Sequence, residues 1–266
     1  MLRGIAPAGI AALSMKRQII SVLNRLHLTR PVEWATRPVR YPFQRRERRA
    51  FYSQFVKAGD LCFDIGANFG NRTEAFRALG ARVVAVEPQG VCLKRLRRQF
   101  GRDSDVVIVP EAVAAQVGTA ELAIPNETTE TATLSERWRT ESRWNFMHYT
   151  RTETVPTTTL DALIEKHGEP AFAKIDVEGF EDQVLAGLSR AVPALSFEFS
   201  GEMPDLIERC VERLEGLGGY RYDISLPKPL KLLWGEWVGV GELRKRLAEM
   251  VAREPAACGD VYARRA

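Results

Sequence analysis

Leu61-Cys-Phe-Asp64-Ile-Gly66-Ala-Asn68-Phe-Gly70-Asn71-Arg72-Thr73 carries a mostly apolar run into a glycine-rich turn. The run reads as a buried strand, and residues 72–79, closed by Gly80, read as the helix that follows. The same rhythm continues outward. Residues 82–86 are β-branched and strand-like, and residues 89–100 place Val91, Leu93, Leu96 and Phe100 at helical spacing. Residues 105–109 read as a third strand of the buried type. Such alternation implies βαβ units: a parallel sheet with helices on both faces. Residues 112–115 and 119–124, split by Val117-Gly118, read as a hairpin-like excursion. Later stretches predict helices over 159–167, 180–188, 205–217 and 239–253. Strands are predicted over 172–177, 194–199 and 220–225, with a short terminal one at 260–263. No internal repeat interrupts this order.

Residues 126–154 break it. They hold eight threonines together with Trp138, Trp144, Phe146 and Tyr149. The stretch is too long for a routine connection. It reads as an insert whose aromatics either stack on an acceptor, as a lid, or anchor the loop to the body.

Composition bounds the class. The chain has 266 residues, 45% of them apolar and 27% charged, which suits a folded domain with an appendage and disfavours a polytopic membrane protein. Cys62, Cys92, Cys210 and Cys258 are dispersed, which argues against a disulfide scaffold or structural zinc and for a reducing, cytoplasmic setting. Charge is uneven. Residues 1–50 hold eleven Lys/Arg against Glu33 and Glu47, a net +9, so the chain total of +4 leaves residues 51–266 at −5. The division is therefore a basic arm, 1–50, and an acidic body, 51–266. The apolar run 4–15 is too short to span a bilayer and makes a poor signal peptide. Residues 16–28 set Ile19, Ile20, Val22, Leu23 and Leu26 on one helical face flanked by Lys16, Arg17 and Arg25. Such a face packs on a protein or lies on an anionic membrane surface, here the inner one. The cluster Arg45, Arg46, Arg48, Arg49 has no interleaved aromatics, which disfavours nucleic acid as partner.

The glycine-rich turn suits a cofactor. In an open parallel sheet, ligands bind beyond the carboxyl ends of the strands. Gly66, Asn68 and Gly70 let the backbone approach a ligand, and the free N–H groups of the helix start suit an anionic group. Asp64, two residues before Gly66, suits a ligand amine. Glu87, 21 residues past Gly66 and followed by Pro88, can accept from both hydroxyls of a ribose. A dinucleotide such as NAD is the alternative, but its Gly-x-Gly-x-x-Gly spacing is absent. An amino-acid head joined to an adenosine ribose fits better, which points to S-adenosylmethionine.

A second motif, Lys174-Ile-Asp176-Val-Glu178-Gly-Phe-Glu181, ends the strand predicted at 172–177. Acids at that edge are candidates for a base or a metal site. Glu181 is better read as favouring a helix N-terminus. Glu198, between Phe197 and Phe199, requires a partner, and Lys174 is the candidate.

These residues resemble the FkbM family of methyltransferases over roughly 51–225. The resemblance rests on the Asp64–Gly70 stretch, Val86-Glu-Pro88 and Glu111-Ala-Val-Ala followed by Gly118. It also rests on Val155-Pro-Thr-Thr-Thr-Leu160-Asp161 and, most specifically, on the Lys174–Glu181 motif. It implies a Rossmann-like, doubly wound, seven-stranded, mostly parallel sheet with an antiparallel last strand. It also implies O-methylation of a hydroxyl on a sugar, glycan or natural product.

The sulfonium sulfur leaves without acid help, so the reaction depends on positioning and, for a hydroxyl, on a base or a metal. Asp176 or Glu178 is expected to act on the acceptor, with Lys174 as orienting charge. His148 is an alternative base, although an exposed loop histidine is the plainer reading. His167, before Gly168, reads as a helix C-terminal residue. A divalent metal on Asp176, Glu178 and Glu198 is chemically reasonable. A non-catalytic binding protein would show no cofactor affinity, and intact Asp64, Gly66, Gly70 and Glu87 speak against it.

Overall fold

A computed structural model describes residues 43–126 and 131–266. The chain divides into two compact units, Met1–Glu47 and Arg48–Ala266. In the first, the described residues 43–47 are helical. The apolar run 4–15, the amphipathic face at 16–28 and residues 127–130 of the insert lie outside the described residues.

The second unit is built on a sheet of seven strands. In chain order they are β1 (Leu61–Ile65), β2 (Arg82–Val86), β3 (Val106–Val109), β7 (Phe172–Ile175), β8 (Ala194–Ser200), β9 (Tyr220–Ser225) and β10 (Cys258–Arg265). Their spatial order is β3-β2-β1-β7-β8-β10-β9. β10 runs antiparallel to both neighbours, and the other pairings in this sheet are parallel. The strand order reverses between β1 and β7, the place where open α/β sheets bind ligands. The helices are α1 (Asn71–Ala78), α2 (Gly90–Phe100), α3 (Glu136–Glu141), α4 (Leu160–His167), α5 (Glu181–Ala186), α6 (Pro204–Leu217) and α7 (Val240–Arg253). Their starts follow local chemistry. Ser135 and Thr159 cap α3 and α4 with side-chain oxygens, and Pro204 opens α6.

Side chains alternate between the two faces of a strand. Phe63, Ile65, Ala173, Ile175, Leu195, Phe197 and Val261 join one core with α4, α5 and α6. Cys62, Ala85, Phe172 and Tyr262 join the other with Phe76 of α1 and Leu96 of α2. Helical residues 48–52 bring Phe51 and Tyr52 into that second core. Phe55 stacks there on Phe172 and Tyr262, both at 5.1 Å between ring centroids.

Four local expectations are corrected. Residues 112–124 are not a hairpin. β4 (Ala112–Val113) and β5 (Gly118–Ile124) flank β6 (Arg151–Thr158), which enters between them. β6 is also where the last four residues of the 126–154 insert belong. β3 is an edge strand with Val107 43% exposed, so it is not of the buried type. β10 is longer than 260–263 because strands on both sides satisfy its backbone.

Candidate active site

The turn after β1 is shaped by what surrounds it. Gly66 has φ 79°, and a Cβ there would lie 1.9 Å from the Asp176 carbonyl oxygen. No other residue fits. Asn68 follows with φ 48°, a conformation asparagine tolerates better than most residues. Gly70 is also left-handed and precedes α1, and a Cβ on it would meet Phe100 at 2.6 Å and Leu96 at 2.9 Å. Lacking a side chain, Gly70 cannot cap the helix. Asp64 does this from the strand. Its Oδ2 accepts from Thr73 N at 2.8 Å and Thr73 Oγ1 at 2.6 Å, and it is 1% exposed.

Glu87 ends β2. Its Oε2 accepts from Asn68 N and its Oε1 from Gln89 N, each at 2.8 Å. Burial pushes its carboxyl up to about 7, against the opposing pull of those two N–H groups. The glycine turn and the acid at the end of β2 are thus physically tied.

The acidic loop follows β7. Lys174 is fully buried and pairs with Asp176 Oδ2 at 3.3 Å and Asp260 Oδ1 at 3.0 Å. Arg72 reaches the same Asp176 oxygen at 3.0 Å. Burial alone would raise the Asp176 carboxyl, but Lys174 and Arg72 outweigh it and hold it below the usual range. Glu198 goes the other way. Burial, with the charges of Glu178, Asp176 and Glu181, pushes it well up, and its side chain is hydrogen-bonded to Asp176. Its Oε2 is buried without a hydrogen-bond partner. The expected Lys174–Glu198 pair is therefore replaced by Lys174–Asp260.

Glu178 has φ 57° and Gly179 φ 86°. The turn they make is held by Glu181, whose Oε1 accepts from Val177 N at 3.1 Å and Gly179 N at 3.3 Å. Glu181 opens α5, as its sequence position suggested.

An open cleft lies over these strand ends. Gly66, Asn68, Glu87, Asp176 and Glu178 line it; Asp64, Gly70 and Lys174 do not. The expectation that Asp64 meets a ligand amine is corrected, because it faces inward and anchors α1. Lys174 likewise reaches the cleft only through Asp176. The lining also holds the apolar Leu122, Leu134 and Phe180, together with Glu111 and Thr133. Trp138 is 4% exposed and belongs to the core, so it is not free to stack on an acceptor. His148 is exposed and does not line the cleft. Sequence reading passed over Arg72, Asp260 and Thr133. Arg72 left a signal: a cation in the first turn of a helix opposes the helix dipole. Asp260 and Thr133 left none.

The methyltransferase FkbM domain matches residues 64–222, more than half of the chain. The chain belongs to the FkbM methyltransferase family. It is an S-adenosylmethionine-dependent methyltransferase, which sets aside the dinucleotide reading. The match begins at Asp64 and ends in β9, so β10 with Asp260 lies beyond it. Among curated proteins none matches the chain. Several solved structures are similar to this FkbM protein. Precorrin-6y C5,15-methyltransferase from Geobacter metallireducens has 12% identity and a TM-score of 0.45, covering 82% of this chain and 87% of that one. Aeropyrum pernix fibrillarin with natively bound S-adenosyl-L-methionine has 10% identity and a TM-score of 0.42, covering 79% and 68%. An rRNA methylase from Streptococcus thermophilus has 10% identity and a TM-score of 0.42, covering 82% and 93%.

Among the described residues no helix is long and apolar enough to cross a membrane. Asp176, Glu178 and Glu198 each offer an oxygen within 4.8 Å of the others. In that set Asp176 is already paired with Lys174 and Arg72, so two side-chain cations take up the charge that an added divalent ion would need.

Proposed function

We propose that this FkbM methyltransferase methylates a hydroxyl group on a sugar, glycan or natural-product acceptor. The observation that carries this is the mixed lining of the cleft, where Asp176 and Glu178 share the surface with the apolar side chains of Leu122, Leu134 and Phe180. Carboxylates accept from hydroxyls, while the apolar side chains suit the C–H surface of a ring.

S-adenosylmethionine supplies the methyl group. Gly66 and Asn68 would admit it close to the backbone, and Glu87 would take the ribose hydroxyls. Asp64 and Gly70 serve the same end by fixing the start of α1. Glu178 is the group proposed to orient the acceptor hydroxyl and receive its proton. Asp176, held ionised by two cations, is too weak a base for that step and acts instead as a fixed negative charge. The basic arm, with its net +9, supports contact with the inner membrane surface, where a lipid-linked acceptor would be met.

Calorimetry with S-adenosylmethionine and with NAD, followed by mass spectrometry of a hydroxyl-acceptor library incubated with the chain, tests the proposal. A product heavier by one methyl group on oxygen supports it. Methylation only on carbon or nitrogen sinks the hydroxyl assignment.

A further inference from the structure

The insert is fastened to the acidic loop at two points, one on each side of the Glu178–Gly179 peptide. Thr133 Oγ1 donates to the Glu178 carbonyl oxygen at 2.7 Å. Ser135 N donates to the same Oγ1 at 2.9 Å, which leaves the hydroxyl hydrogen for Glu178. Thr133 is 1% exposed, so this arrangement is shielded from water. Five residues on, the ring of Trp138 covers Gly179: a Cβ there would lie 2.6 Å from its Cε3. Bonded to Glu178 on one side and packed on Gly179 on the other, the insert grips the turn.

That turn needs gripping. A left-handed backbone is unfavourable for glutamate and persists only where the surroundings over-determine it. Glu181 holds Val177 N and Gly179 N from one side. Thr133 holds the Glu178 carbonyl from the other, and both Thr133 and Glu178 line the cleft. We infer that Thr133 is a positioning residue for methyl transfer, whose hydroxyl fixes the left-handed turn that aims the Glu178 carboxylate at the acceptor. This rests on the reading of Glu178 as the group that meets the acceptor hydroxyl. The threonine-rich insert thereby belongs to the reaction centre, as the part that sets the direction of the acid rather than as a loose cover.

The test compares the full chain with Thr133→Val, Thr133→Ala and Thr133→Ser. Valine keeps the shape and loses the hydroxyl, alanine loses it without adding apolar bulk, and serine restores it. Amide exchange of peptides spanning 176–181, S-adenosylmethionine affinity by calorimetry, and kcat with the acceptor from the product screen are read together. Both hydroxyl-free variants are expected to exchange at least about tenfold faster at Val177 and Gly179. They are also expected to lose about tenfold in kcat and to keep cofactor affinity within about threefold, while serine returns exchange and kcat toward the parent. Exchange and kcat within twofold of the parent overturn the inference. So does a loss of kcat with unchanged exchange in that peptide, because the effect then does not pass through the turn. Failure of the parent chain to bind S-adenosylmethionine strikes the cofactor reading instead, and a parent turnover that survives Glu178→Gln strikes the role of Glu178.

Discussion

Cofactor affinity should depend on pH through Glu87. Its carboxyl is 6% exposed and titrates at about 7 rather than at its ordinary 4.5, because burial penalises the charged form more than two N–H donors relieve it. Ribose hydroxyls donate hydrogen bonds, and an ionised carboxylate accepts them about twice as strongly as a neutral carboxyl. The binding-competent form is thus the one that is scarce below pH 7. With a single group titrating at about 7, roughly nine-tenths is ionised at pH 8 and roughly one-tenth at pH 6. Affinity should fall about tenfold over that range, or about 1.4 kcal/mol. The sign for folding is the opposite of the usual carboxylate case. The folded chain holds this proton more tightly than the unfolded one, so the group stabilises least above pH 7 and the penalty disappears below about 4.5. Titration calorimetry with S-adenosylhomocysteine at pH 6, 7 and 8, on the parent and Glu87→Gln, measures the effect. Glutamine should bind at least about tenfold more weakly at pH 8, because it cannot offer two acceptor oxygens, and its profile should be flat. A flat parent profile, or a glutamine variant that keeps the slope, refutes the reasoning.

Gly66→Ala should abolish detectable cofactor binding, because its Cβ would need space 1.9 Å from the Asp176 carbonyl oxygen; calorimetry reads this directly. Lys174→Met should destabilise the fold by about 3–5 kcal/mol in urea, since it strands Asp260 and leaves Asp176 to Arg72 alone. Adding Asp260→Asn should recover part of that loss, and strictly additive effects would show that the two are not coupled. Asp176→Asn should lower the urea midpoint as well as turnover, because it takes the carboxylate from Arg72 and leaves Lys174 with Asp260 alone. Glu178→Gln should lower turnover at an unchanged midpoint, and the reverse pattern would exchange the two roles. Removing residues 1–47 should leave S-adenosylhomocysteine affinity within about threefold, because among the described residues the aromatics that enter the core begin at Phe51.

The fold was legible where local pattern and tertiary role coincide. β1, β2 and β9 match their expected ranges because each is a run of residues bounded by glycine or polar breaks. The small sheet was not legible. β4 and β5 look adjacent in sequence, and nothing near residue 115 announces that residues 151–158 pass between them. Long-range pairing of this kind depends on a strand nearly forty residues away, which periodicity cannot report. The site shows the same division. Gly66 and Glu87 could be read because a turn and a strand end fix their places. Asp64 was misread because its partner, Thr73, lies inside the quoted stretch but becomes a partner only when α1 starts at Asn71. Lys174 was matched with Glu198, the nearest acid in the neighbouring strand by sequence order. In the sheet, β10 lies against β8 and brings Asp260 to Lys174 instead.

The four acids that looked alike in sequence are sorted by their surroundings into different work. Asp64 is committed to a helix start. Glu87 is pushed up to about 7 and poised to ionise when hydroxyls arrive. Asp176 is pulled down by two cations, and Glu198 is pushed up by burial and neighbouring anions. Such pairs titrate as a unit, so neither is a free base near neutrality. If the acceptor is a hydroxyl, as proposed, it must lose a proton while the sulfonium needs none, so one proton acceptor is sufficient. Glu178 faces the cleft from a backbone conformation that several contacts enforce. On the proposed reading, the two cations hold Asp176 as a fixed charge, and Glu178 is the group left to take the acceptor proton.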